Sequence, residues 1–504
     1  MNIPQRPSAY RTYAPPPFTP DDAKIATILF GGAHWRLERL LEGLFENLGY
    51  NAKALPQPTK QDLLRGRELA DVGQCCPTTF TAGNLANFLI SETEKLGAEE
   101  VSRKYVYLTA GSCGACRFGQ YHQSYELALR NIGLETFRMF LLAQDGVDQG
   151  AVPGGGLRVD AQMTFGAVMA ALVSDVMRDL EFQLRPYEVV EGSVNRACRA
   201  AVEDLCEAFR NRPLRGKLWG ALVWHLTTDY FADALRNIRH HFDGLAFDRL
   251  RVKPKVAVTG EFFLQTTESD ANYNIHNWLE QEGAEVVPSI TATWLDYNIR
   301  FFHQSFEDRI GIDRYAKLKM KGLKLASRAA HRIYNRMRAA LCDVPKPLPD
   351  QDEIRKLASP YFNSRLSGGE GDMLIGKSLL LHLKKKAHMI CELSPYGCMP
   401  NTMSIGAMSG ALGKHPDLLY APLEIKGDAE VHALSRCQMI LTEAKKRAQK
   451  EFDAALAVTG LTVETARELM ARRPEMSKAF YAPPSHGAAG TAANIILELG
   501  GKSL

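Results

Sequence analysis

Apolar residues along this chain fall into short continuous runs that alternate with stretches at helical spacing. The run at 23–32, AKIATILFGG, reads as a buried strand ending in glycines. Residues 35–50 then place Leu37, Leu40, Leu41, Leu44, Phe45 and Leu48 along one helix face. NAKALPQP opens the next strand, and a strand–helix–strand unit of this length predicts a parallel α/β layer. YVYLTA (105–110) and ETFRMFLLAQ (135–144) supply later strands, with a helix from about Gln123 to Ile132 between them. After VPGGGLRVD (152–160) the pattern turns mostly helical to about residue 246, with a break at 185–193.

The plan then starts again. KPKVAVTGEFF (253–263) is a strand, and residues 272–290 read as a helix, a turn at Gly283 and a further strand. A basic helical insert spans 314–341. HMICELSPYGCMPNTMSIGAM (388–408) is another strand, turn and helix, and LLYAPLEI (418–425) a last strand. The pattern predicts an α/β protein of two Rossmann-like parallel-sheet domains facing each other across a cleft, with helical inserts. Ligands of such folds collect outside the carboxyl ends of the strands. The expected division is an extended arm over 1–22, a first α/β domain over 23–180 and a helical segment over 181–250. A second α/β domain over 251–445 carries the insert 314–341, and a helical tail runs over 446–504. Pro15, Pro16 and Pro17 exclude regular structure in the arm.

Length and composition agree with this plan and narrow the function. A chain of 504 residues is long for one core. The 61 Lys and Arg against 57 Asp and Glu leave a net charge of +4, too small by itself to argue for a nucleic-acid partner, and none is expected. No apolar run approaches the roughly 18 residues of a membrane span, and the N-terminus lacks the apolar core of a secretory signal. Ten cysteines in such a chain do not make a disulfide scaffold. The expected compartment is the reducing cytoplasm, where clustered thiols mean metal or redox chemistry.

The cysteines divide by context. Cys198, Cys206, Cys342, Cys391 and Cys437 sit in helix- or strand-like runs among apolar neighbours and read as small buried hydrophobes. Cys75 and Cys76 in GQCCPTTF, Cys113 and Cys116 in GSCGACRFG, and Cys398 in SPYGCMPN lie instead on strand-to-helix turns rich in Gly and Pro. A helix N-terminus and a nearby Arg would lower a thiol pKa there. Glycines let backbone N–H groups approach sulfur, which tunes an iron–sulfur cluster. Cys76, Cys113, Cys116 and Cys398 make the four thiols that such a centre favours. Zinc and a dithiol redox pair compete for the CxxC. The absence of a second CxxC disfavours a zinc ribbon, and a dithiol would leave Cys76 and Cys398 without a role.

These phrases carry a resemblance. GQCCPTTFTAGNL, LTAGSCGACRFGQYH, VTGEFF with NYNIHNWLEQEGAEVVP, LASPYF, and SPYGCMPNT together resemble the 2-hydroxyacyl-CoA dehydratase / benzoyl-CoA reductase superfamily, in its activase-related branch, over roughly residues 23 to 440. The resemblance implies a cytoplasmic, oxygen-sensitive protein that holds an iron–sulfur cluster, [4Fe–4S] in the simplest case, between two α/β domains. An ATPase partner carrying its own cluster would feed it electrons one at a time, and the chain would pass them on or reduce a small substrate. Some relatives hold a double-cubane cluster with three cysteines per subunit of a homodimer. Position by position, Cys76 matches the C-P ligand, Cys116 the CR ligand and Cys398 the GCMP ligand, and Cys113 matches the extra cysteine of this branch. Cys75 is the second choice in its loop. Ala115 stands where the family pattern has proline, and the substrate-binding residues of the dehydratases do not map onto this chain.

Around the ligands, Arg117 is expected to neutralise cluster charge or donate to sulfur, with Gln120 and His122 near the same turn. The bland alternative for Arg117 is a surface ion pair. Glu261 at a strand end is an acid/base candidate or a helix cap, Thr78, Thr79 and Asn84 are caps, and His486 lies on a flexible loop. The insert from 317 to 341 holds eight Lys or Arg and no acid, so it is either a solvated helix or a docking surface for an acidic or phosphate-rich partner. GxxxxGK[ST] is absent, so ATP hydrolysis would belong to another chain. The competing expectation is a non-catalytic assembly component with structural cysteines, docking through that insert.

Overall fold

The computed structural model describes residues 15–70, 73–111, 116–143, 146–148, 156–216, 218–366 and 369–503, with side chains left out of the description at 143 and 146–148. The first sheet is built from β1 (Thr27–Phe30), β2 (Asn51–Ala54), β3 (Tyr105–Ala110), β4 (Arg138–Ala143) and β5 (Gly146–Asp148), in the order β2-β1-β3-β4-β5. Its first four strands are parallel, and β5 returns antiparallel along β4. The second sheet comprises β6 (Lys255–Gly260), β7 (Glu285–Val287), β8 (Met389–Pro395) and β9 (Leu419–Ile425), all parallel, in the order β7-β6-β8-β9. Two parallel α/β sheets are what the alternating runs predict.

Alternate residues of each strand enter different cores, as a sheet covered on both faces requires. Leu29, Tyr105 and Tyr107 pack on one side of the first sheet, and Ile28, Phe30 and Val106 on the other. Val256, Val258, Met389, Cys391 and Leu393 pack on one side of the second sheet, and Ala257 and Ile390 on the other. The arm is anchored rather than free where it is described. Phe18 is fully buried, edge-on to Phe140 at 5.0 Å between ring centres.

The helical middle of the chain forms its own core around the helices Ala161–Leu184 and Ser193–Arg210, where Cys198 and Cys206 are buried as expected. Cys437 is buried beside Cys391 in the second-sheet core, whereas Cys342 is only half-buried. The basic insert is the helix Ala316–Ala340, paired with the helix Thr291–Asp308. The tail is more ordered than its composition suggests. Ala488, Ala492 and Ala493 are buried around the helix Thr491–Gly500, whose small residues allow close packing against the long helix Glu430–Thr459. His486 is held there by its backbone N–H, which donates to Asn494 Oδ1 at 2.7 Å.

Several polar contacts tie segments following the first-sheet strands to segments following the second-sheet strands. Arg36, in the helix Trp35–Asn47, donates through Nε to Glu181 at 2.7 Å and through Nη1 to Glu268 at 2.9 Å. Arg178 donates to the same Glu268 at 2.9 Å. The Thr267 hydroxyl donates to Gln57 Oε1 at 3.3 Å, and the Lys60 backbone N–H to Asp270 Oδ2 at 3.2 Å.

Candidate cluster site

Three cysteines occupy the same local position in three different places. Cys75 is the N-cap of the helix Cys76–Leu96, Cys116 precedes the 3-10 turn Arg117–Gln120 that leads into the helix Tyr121–Asn131, and Cys398 is the N-cap of the helix Met399–Lys414. Their backbones are alike, with φ and ψ of −77° and 158°, −70° and 132°, and −78° and 119°. Pro77 and Pro400 sit in the first turns of two of these helices, where the missing N–H costs nothing. An N-cap residue normally offers oxygen to the free N–H groups of the first turn. Here the residue at that position is a cysteine.

The three loops touch. The backbone N–H of Cys76 donates to the carbonyl oxygen of Tyr396 at 3.2 Å. Gly397 has φ +78°, and a Cβ there would lie 3.1 Å from Arg117 Nη1, 3.5 Å from the Gln74 carbonyl oxygen and 3.6 Å from the Cα of Cys75. Only glycine takes this backbone conformation at no steric cost while the three segments stay so close. Arg117 itself donates to the carbonyl oxygen of Gly73. Its guanidinium thus joins the turn after Cys116 to the loop before Cys75 and lies close to Gly397.

Cys75 Sγ lies 3.1 Å from the hydroxyl of Thr78 and 3.1 Å from that of Tyr121, so the helix that follows Cys116 contacts the thiol at 75 directly. Cys398 Sγ is 3.4 Å from Asn401 Oδ1. Burial pushes the Cys116 thiol up to about 11, with the Phe118 backbone N–H pulling back and Glu370, Glu261 and Cys75 adding to the rise. Burial also raises Cys398, and the charges of Glu261, Cys75 and Cys116 act in the same direction against the Asn401 N–H. The sequence led us to expect lowered thiol pKa values. At Cys116 and Cys398 burial outweighs the helix ends, so a metal would have to replace their protons.

Cys76 differs from its neighbour. As the first residue of its helix it turns into the core of the second sheet beside Leu63 and Phe80, and burial, reinforced by Cys75, raises its thiol to about 12. Cys75, the second choice from sequence, is the member of the pair whose charge is felt by both Cys116 and Cys398. Cys113, with Ala115, lies outside the described residues. Gln120 is exposed at the end of its turn.

Glu261 follows β6 and, of the roles the sequence allowed, takes that of a helix cap. Its carboxylate accepts from the Leu264 backbone N–H at 3.0 Å as a helix cap, and its charge reaches Cys76, Cys116 and Cys398. Burial lifts it to about 7, against the N–H groups of Leu264 and Phe263 and with help from Glu370. Sequence reasoning missed Glu370 and Tyr121. Glu370 accepts from Trp294 Nε1 at 2.8 Å and is raised by burial. No local pattern marks either residue, because their roles depend on segments far apart in the chain.

The donor set suits an iron–sulfur centre. Three cysteines stand at helix starts, on loops that meet around Gly397 and Arg117. Comparison of the chain with models of protein families and with curated proteins gives no match.

Proposed function

We propose that this chain is an iron–sulfur redox protein in which Cys75, Cys116 and Cys398 hold the cluster between the two α/β units. Cys76 and Cys113 would be the further thiols of the same turns. The observation that carries the reading is that three helix-capping cysteines, two from the first α/β unit and one from the second, are brought into one contact network. Such a centre, when bound, supplies one-electron chemistry over a wide range of potentials. The chain's own part is to hold sulfur from both units, close the loops through Gly397 and Arg117, and keep the thiols buried.

The resemblance to the dehydratase and reductase superfamily sets the context of this proposal. An ATPase partner with its own cluster would deliver low-potential electrons in the cytoplasm, and this chain would relay them or reduce a small substrate. Among the described residues no helix is long and apolar enough to cross a membrane. A simple [4Fe–4S] centre would give about four irons per chain, and a double cubane more.

Anaerobic purification tests the reading. A brown protein with matching iron and sulfide, and a paramagnetic signal on reduction, supports it, and loss of all three in Cys398→Ala assigns the ligand. Colourless protein with stoichiometric zinc overturns it.

A second reading has one observation in its favour. Lys317, Lys319, Lys321 and Lys324 are all exposed on the first half of the helix Ala316–Ala340, so a docking role for the insert is compatible with the structure. In that reading the chain is an assembly component that docks through the insert and uses its cysteines structurally.

A further inference from the structure

Away from the cysteines, the helical middle of the chain gathers a different set of metal-binding groups. We propose that Asp204, His240 and His241 form a surface site for a late first-row divalent cation of the Zn²⁺ class. One ligand atom from each lies within 4.8 Å of the other two. His241 Nε2 is 2.7 Å from Asp204 Oδ2, and the two imidazole rings are 3.9 Å apart between centres.

The platform under these groups is firm. Asp204 stands on the helix Ser193–Arg210 next to the fully buried Leu205, and the histidines lie in the 3-10 turn Ile238–Phe242, whose ends Ile238 and Phe242 are buried in the same core. The backbones that carry the ligands are therefore fixed by packing, while the side chains remain free to close on an ion. His240 Nδ1 sits 2.6 Å from the carbonyl oxygen of Asn237. A nitrogen facing a carbonyl must carry the proton, so Nε2 keeps the lone pair, an arrangement that also orients metal-bound histidines.

Charge favours a dication here. A cation shared with the one carboxylate would use a lone pair of each of the two neighbouring imidazoles. The nearby cations are engaged elsewhere: Arg236 pairs with Asp233, and Arg239 stacks on the Phe480 ring at 4.8 Å. Two nitrogens and one oxygen suit Zn²⁺, Ni²⁺ or Co²⁺ over Ca²⁺ or Mg²⁺, with water completing the coordination. A bound ion would pin the 238–242 turn to the helix beneath it.

Co²⁺ titration of the full chain provides the test, because sulfur and nitrogen sites differ in colour. The expected result is one cobalt per chain with visible ligand-field bands and without a thiolate charge-transfer band, persisting in Cys75→Ala/Cys116→Ala/Cys398→Ala. His240→Ala and Asp204→Ala should each weaken it about tenfold or more, with unchanged circular dichroism because both side chains are exposed. Cobalt bound only with a thiolate band, or equal affinity in His241→Ala, overturns the proposal. The fate of the cluster reading does not enter either outcome.

Discussion

The backbone N–H of Cys76 donates to the carbonyl oxygen of Tyr396 at 3.2 Å, which ties the helix start carrying Cys75 to the turn carrying Cys398. The two adjacent cysteines consequently do different work. Cys75 packs in the first-sheet core, against Thr78 and Tyr121, while Cys76 packs in the core of the second sheet. Cys75→Ala is expected to abolish iron binding and, being equally buried, to cost about 1–2 kcal/mol as well. Cys76→Ala should retain most of the iron and cost about 1–2 kcal/mol through the space it leaves. Iron and sulfide analysis beside a urea melt of each anaerobic variant checks both halves.

Glycine conformation sets a second contrast. Gly260 ends β6 with φ +130°, and a Cβ there would fall 2.1 Å from the carbonyl oxygen of Leu393 in the neighbouring strand. Gly397 is strained only in its φ of +78°, since the atom it would crowd most is the end of the flexible Arg117 side chain. Gly397→Ala should therefore cost about 1–2 kcal/mol. Gly260→Ala adds a backbone clash to a similar conformational cost of about 1–3 kcal/mol, and should displace Glu261 as well. Denaturant melts are expected to rank Gly260→Ala well below Gly397→Ala.

Much of this was legible in the chain because strands buried on both faces leave unbroken apolar runs. VAV at 256–258 and MICEL at 389–393 could be placed without coordinates for that reason. Turn cysteines were legible too, through the Gly and Pro that surround them. Which sheet Cys75 and Cys76 each pack against was not. Adjacent residues at a helix start point in different directions, and which one meets the second sheet depends on packing across hundreds of residues. The direction of the thiol shifts was missed for a related reason: a helix end is visible in sequence, while the burial that outweighs it is not. β5 has only three residues, too few to show a period.

The buried ion network predicts an acid-dependent contribution to stability. Burial alone would raise the Glu268 carboxyl, but Arg36 and Arg178 overcome it and hold the group well below its ordinary 4.5. A carboxylate lowered in the folded state stabilises fully above its unfolded pKa, and that contribution is lost as pH falls through the folded value. Glu268→Gln leaves two buried arginines short of a partner and should cost about 3–5 kcal/mol at neutral pH. The gap between wild type and variant is expected to narrow as the pH is taken below about 4.5. Urea melts across that range measure it, and a gap independent of pH would refute the assignment.

The basic helix separates docking from folding. Along Ala316–Ala340 the first half carries Lys317, Lys319, Lys321 and Lys324 in solvent, whereas the second half is held by Tyr334, Met337 and Ala340 in the core. Among the described residues, Lys319 alone of the four has an ion pair, with Asp313 at 2.7 Å. Exposed pairs contribute about 0–1 kcal/mol, so changing all four to Gln should leave the melting midpoint and the cluster spectrum nearly intact. Electron delivery from an acidic partner would suffer instead, because like and unlike charge mainly set the rate of encounter. The expected outcome is a rate at least about tenfold slower at low ionic strength that converges with wild type as salt is raised. Rates that match at every salt concentration would place the partner on another face and return this helix to a solvated role.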